Sequence, residues 1–221
     1  MNALLAVLWK DLAIEWRSRD RFVAMLVFSL LVVLVLYFAA PPSLDAALNG
    51  YVPGLLWVAY VFAGVLGMNR AFAAELENDA LSALALAPVD RGFLFLGKAA
   101  ASFLILAAVQ AFTAVFFALA FSLDFWAVAP RLAAVAALGG LGIACAGTLL
   151  SAISVRTRYR EVMLPLLLLP LLVPVLLAAV RATTQLLTIG SLPWPPIQML
   201  IVADAVYAIV SFLTFEYVLD E

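Results

Sequence analysis

Six long apolar runs separated by short polar stretches dominate the chain: Phe22 to Ala40, Tyr51 to Met68, Ala99 to Leu123, Leu132 to Ile153, Val162 to Val180 and Ile197 to Phe215. At about 1.5 Å per helical residue, each is long enough to cross a hydrocarbon core of about 30 Å. The pattern predicts an all-α, polytopic membrane protein with six transmembrane helices, forming one transmembrane domain over residues 1–221. Ahead of the first run, Leu5, Leu8, Trp9, Leu12 and Trp16 recur at three- and four-residue steps, with Lys10, Arg17 and Arg21 on other faces. That spacing predicts an amphipathic interfacial helix over residues 1–21, either abutting a cytoplasmic subunit or acting as a plain membrane anchor. The Lys10-Asp11 pair and the Arg17 to Arg21 cluster separate its mild hydrophobes from the first long run, unlike a secretory signal.

The longest polar interruption, Arg70 to Lys98, lies between the second and third runs. Phe72, Leu76, Leu81, Leu84 and Leu86 supply apolar anchors, and Glu75, Glu77 and Asp79 a charged face. A short helix ending near Pro88 is expected, because the proline ring disfavours helical geometry in the residue before it. Such a segment is suited to docking a soluble partner.

Composition confirms lipid as the solvent: 67% of the residues are hydrophobic and 12% charged. Ten of the twelve basic residues flank one set of helix ends: Lys10, Arg17, Arg19, Arg21, Arg70, Arg91, Lys98, Arg156, Arg158 and Arg160. Arg131 and Arg181 fall on the other side. The positive-inside rule then places both termini and the 70–98 segment in the cytoplasm. The scattered basic residues form no footprint for nucleic acid.

The chain has no histidine and a single cysteine, Cys145, which removes the usual zinc ligands, the commonest general base and any intrachain disulfide. Gly92 to Lys98 imitates a phosphate-binding loop, but Ala99 stands where a hydroxyl should hold Mg²⁺ and four bulky hydrophobes fill the loop. The expectation is a membrane protein that is not an enzyme by itself. Inside the sixth run, Asp204 is the sharpest polar anomaly: a subunit-interface or transport-path residue, or a carboxyl paired with Arg131 or Arg181 or simply protonated. Gln110 and Gln185 are weaker polar marks. Ala136, Gly140, Ala144 and Thr148, with Gly139, Gly147 and Ser151 nearby, form small-residue stripes that suit close helix packing within the chain or with a second copy. Pro165, Pro170 and Pro174 are expected to break the fifth span's hydrogen-bond ladder at least locally, with a bend that is either static or a site of motion, and Arg181 to Gln198 is expected not to be regular helix throughout and to cap the outer face as an interfacial segment.

The order of residues in the polar interruption resembles the haem exporter protein B family, CcmB, of the cytochrome c maturation system. The matching positions are Phe72, Glu75 and Asn78; Leu81, Leu84 and Leu86; Pro88 to Arg91; and Leu96-Gly97-Lys98. Lys10-Asp11-Leu12 with Glu15-Trp16-Arg17 is similar to the family's amino-terminal signature, and Phe215-Glu216-Tyr217-Val218 to its closing tail. Some members carry Gly-Ser-Leu-Glu where this chain has Asp79-Ala80-Leu81-Ser82. The resemblance implies the permease subunit of an ATP-binding-cassette transporter, driven by a CcmA-like cytoplasmic ATPase and accompanied by CcmC- and CcmD-like haem-handling partners and a second copy. Haem would be a substrate rather than a bound cofactor, and the work done would be haem export or release of a haem-loaded periplasmic chaperone. Phe72, Glu75, Asn78, Asp79, Leu81 and Leu84 become candidates for the ATPase contact. An exporter of lipid, polysaccharide or drug, and a non-transport scaffold, are the alternatives.

Overall fold

The computed structural model describes residues 3–39, 51–77, 91–122, 125–155, 157, 159–191 and 193–220. Within them seven helices follow in order: α1 (Ala3–Ser18), α2 (Asp20–Ala39), α3 (Val52–Glu77), α4 (Arg91–Ala120), α5 (Phe125–Ser154), α6 (Arg160–Ile189) and α7 (Trp194–Asp220). Helices α2 to α7 contain the six candidate membrane spans, as the apolar runs predict. A helix satisfies its own backbone hydrogen bonds, which lipid cannot do for it.

The break between α1 and α2 is a single residue. Arg19 adopts a left-handed backbone, φ 59°, and its N–H returns to the Glu15 carbonyl at 2.8 Å. The Glu15 carboxylate then accepts the Phe22 N–H at 2.8 Å, satisfying one of the donors that the start of α2 leaves open. The chain thus turns from α1 into α2 with almost no loop.

Helix α5 lies at the centre, packed on α3, α4, α6 and α7, while α2 packs on α3 and α4, and α1 docks chiefly on α4. The span windows of α3 and α5 are the most buried, and those of α2 and α7 the most exposed. The glycines of α5 each receive a side chain from a neighbour. A Cβ at Gly139 would run into Trp57, at Gly140 into Gln110, at Gly142 into Asp204 and at Gly147 into Met68. The stripe of small residues therefore admits large residues of α3, α4 and α7 within the chain.

Three sequence-based expectations need correction. Helix α3 continues past Met68 to Glu77 and α4 starts at Arg91 rather than Ala99, so both ends of the 70–98 interruption are helical. Hydrogen bonding need not stop where hydrophobicity does, and polar helix ends can project beyond the apolar core. The prolines at 165, 170 and 174 lie inside a continuous α6, which extends to Ile189 rather than fading at Val180. Each proline removes one donor, but unwinding further backbone in lipid would leave more groups unsatisfied. Gly190 ends α6 with φ 74° and an N–H bonded to the Leu186 carbonyl at 3.0 Å, the left-handed cap that glycine adopts without strain. Pro195 and Pro196 sit in the first turn of α7, where no intrahelical donor is needed, so the irregular stretch is much shorter than 181–198.

Candidate functional site

The first two turns of α4 are the meeting point of the molecule. Arg91 Nη1 donates to the Glu216 carbonyl of α7 at 3.1 Å. One residue on, a Cβ at Gly92 would overlap the Phe212 ring, so the absence of a side chain lets α7 lie against α4. Phe93 meets Phe212 edge to face with centroids 6.4 Å apart, and Phe95 lies 5.4 Å from Phe215. Phe95 and Phe215 are both fully buried.

A turn further along, α4 receives α1. A Cβ at Gly97 would stand 2.9 Å from both the Leu4 carbonyl oxygen and Val7 Cβ, so the two backbones approach as closely as glycine permits. The next residue, Lys98, is buried, with its ammonium 3.8 Å from Asp11 of α1 and 5.0 Å from the centre of the Phe72 ring of α3. A carboxylate and an aromatic face both favour the charged amine, offsetting part of its desolvation. Asp11 also pairs with Lys10 at 3.0 Å. At the same end, Arg70 of α3 donates to the Asp20 carbonyl of α2 at 3.2 Å.

Four stretches far apart in sequence thus form one clasp: Asp11 in α1, Phe72 in α3, Arg91 to Lys98 in α4 and Phe212 to Glu216 in α7. It surrounds the start of α4, where the chain emerges from residues 78–90. Of the sequence-predicted contact residues, Phe72 is in the clasp and buried. Glu75 lies in the last turns of α3, and Asn78, Asp79, Leu81 and Leu84 lie outside the described residues.

Sequence reasoning missed Gly97, Lys98 and Asp11 as a unit. It assigned the apolar face of α1 to Leu5, Leu8, Trp9, Leu12 and Trp16, yet the stripe against α4 includes Leu4, Val7 and Asp11, while Leu5, Trp9 and Trp16 are exposed. The available signal was charge: Asp11 lies one helical turn beyond Val7, and Lys98 is the only cation at the start of an otherwise apolar run.

Asp204 is remote from the clasp. Its carboxylate is buried between α5, α6 and α7, with Oδ1 2.6 Å from where a Cβ on Gly142 would be and with Val175 against the same glycine. Both oxygens lack a hydrogen-bond partner among the described residues. Pairing with Arg131 or Arg181 is not observed: both arginines are exposed, and Arg131 donates to the Gly190 carbonyl. Asp204 lies ten residues into α7, because that helix begins at Trp194 rather than at Ile197 as the apolar run predicts. Gln110 is likewise buried with no side-chain partner among the described residues, and Gln185 is exposed. No three His, Cys, Asp or Glu side chains converge among the described residues.

The family described as "CcmB protein" matches residues 2–219. The chain is similar to "Heme exporter protein B" of Paracoccus denitrificans, 32% identical over 180 residues covering 81% of this chain and 82% of the relative. The protein of that name from Rhodobacter capsulatus is 30% identical over 181 residues, covering 80% and 79%, and that from Bradyrhizobium diazoefficiens 28% over 184 residues, covering 83% and 82%. With a match that runs from α1 to the last turn of α7 and includes every part of the clasp, this six-span chain belongs to the CcmB family.

Proposed function

We propose that the chain is the permease subunit of an ATP-binding-cassette transporter serving cytochrome c maturation in a bacterial inner membrane. A separate CcmA-like ATPase hydrolyses ATP on the cytoplasmic side, and this chain couples that work to haem export or to release of a haem-loaded periplasmic chaperone. The observation that carries the reading is the family match over residues 2–219. The relatives' name, "Heme exporter protein B", supports haem as the substrate class.

The clasp supplies a mechanism. An ATPase can move a membrane subunit only through contacts that differ between its two states. Residues 78–90, with Asn78, Asp79, Leu81 and Leu84, take the ATPase contact together with Glu75 at the end of α3, while the buried Phe72 supports that contact from inside the clasp. Displacing that segment pulls on Arg91, and the first turns of α4 are gripped by α1 through Gly97 and Lys98 and by α7 through Gly92 and Phe95. Motion at the segment therefore reaches α1, α4 and α7 as a unit. Both termini and the clasp face the cytoplasm in this reading, in accord with the basic residues at that end. A second copy and CcmC- and CcmD-like proteins complete the assembly.

Affinity purification of the tagged chain from its own membranes tests the coupling. An ATP-binding-cassette ATPase is expected to co-purify, and to be lost when Leu81 and Leu84 are both replaced by Asp while the chain still inserts. Purification of the intact complex without any ATPase would overturn the transporter reading.

A further inference from the structure

Asp204 lies ten residues into α7, about 15 Å along the helix, close to the middle of a core about 30 Å thick. It is 4% exposed, and neither carboxylate oxygen has a hydrogen-bond partner among the described residues. The groups around it offer no compensation for a negative charge. From α5 come Gly142 and the titratable Cys145; from α6 comes the apolar Val175; from α7 itself comes the titratable Tyr207. Tyr207 spends its hydroxyl proton on the Leu171 carbonyl of α6, and Ser211 Oγ donates to the Cys145 carbonyl at 3.4 Å. A single carboxylate amid aliphatic carbon is too few oxygens to cage a metal cation. Because the oxygens are sealed by the chain's own helices, a neighbouring subunit does not reach them in this packing.

A carboxylate buried among these helices with no cation or donor from the described residues is the costliest form this side chain can take, whereas the neutral acid avoids most of that cost. We propose that Asp204 is a proton-binding site enclosed by α5, α6 and α7. In the closed packing it holds one proton taken from water, and separation of the three helices lets water in and the proton out, leaving the carboxylate. The site is tied mechanically to the clasp, since Phe212 is two turns further along α7, about 12 Å from Asp204. The proton site stands on burial and geometry alone, and would survive a different transported species.

Infrared spectroscopy of the full-length chain in lipid bilayers at neutral pH tests it. The wild type is expected to show a carboxylic-acid C=O band that shifts only slowly in D2O, and the neutral near-isostere Asp204→Asn is expected to lack it. No such band in the wild type, or an undiminished band in Asp204→Asn, overturns the proposal. Gly142→Ala gives an independent arm: its Cβ would lie 2.6 Å from Oδ1 and wedge α5 from α7, so the band should exchange faster or disappear. Exchange as slow as in the wild type would show that these helices do not seal the site.

Discussion

Replacing Gly97 by Ala adds one methyl at the closest approach of α1 to α4. That carbon would sit 2.9 Å from the Leu4 carbonyl oxygen, 2.9 Å from Val7 Cβ and 3.1 Å from Val7 Cγ1. Carbon pairs rest at about 3.5–4.0 Å, so α1 must withdraw by roughly half an ångström or more. No rotamer change relieves the clash, because the Leu4 oxygen and Val7 Cβ are fixed to the α1 backbone. Two effects oppose each other: alanine favours a helix over glycine by up to about 1 kcal/mol, and overpacking costs about 1–3 kcal/mol. The balance is a loss of about 1–2 kcal/mol in docking, roughly a 5–30-fold shift toward undocked α1. Gly54→Ala is the matched control, since its Cβ would meet only Val180 Cγ1 at 3.8 Å, an ordinary contact. Thermal unfolding of both variants in detergent, with the rate of tryptic cleavage at Lys10 and Arg17, reads the difference. Gly97→Ala should unfold earlier and be cut faster in α1, while Gly54→Ala should match or exceed the wild type. Equal behaviour of the two variants would refute the close-approach reasoning.

Asp11→Ala removes one of the groups that hold the buried Lys98 and should cost about 1–3 kcal/mol, below the usual range for a broken buried pair because the two groups are 3.8 Å apart and Asp11 is partly exposed. Adding Lys98→Met should recover part of that loss, and a double-mutant cycle on unfolding temperature checks the sign. Glu15→Ala removes the acceptor for the Phe22 N–H and should cost about 0.5–2 kcal/mol, whereas Glu15→Gln should retain most of the stability. Gly190→Ala should cost about 1–2 kcal/mol through its left-handed φ of 74° although nothing lies within 4 Å of the new methyl, and Gly190→Asn should cost less.

What the sequence makes legible here follows from the solvent. An apolar run of about 20 residues has few alternatives to a spanning helix, so all six were readable. Helix ends were less so: Arg91 and Lys98 look like loop residues by polarity, yet one bonds to Glu216 of α7 and the other to Asp11 of α1, partners 125 and 87 positions away in the chain. Those pairings depend on which helices become neighbours, and hydropathy carries no information about that. The family signatures marked Lys10-Asp11-Leu12, Phe72, Leu96-Gly97-Lys98 and Phe215-Glu216 separately, and only the packing shows that they meet. Asp204 was visible as a charge within an apolar run, but its isolation from Arg131 and Arg181 depends on the helix packing that buries it while both arginines stay exposed. The prolines of α6 were legible as missing donors, but that the helix runs on through them to Ile189 follows from lipid's inability to satisfy unwound backbone.

The proposed role in haem delivery to c-type cytochromes is read from holo-cytochrome c in a strain lacking the gene. The account predicts that covalently haem-stained cytochrome c disappears from the deletion strain while the apoproteins are still made. Restoring the intact gene should bring it back, and restoring a Leu81→Asp, Leu84→Asp variant should not. Normal holo-cytochrome c in the deletion strain would contradict the account.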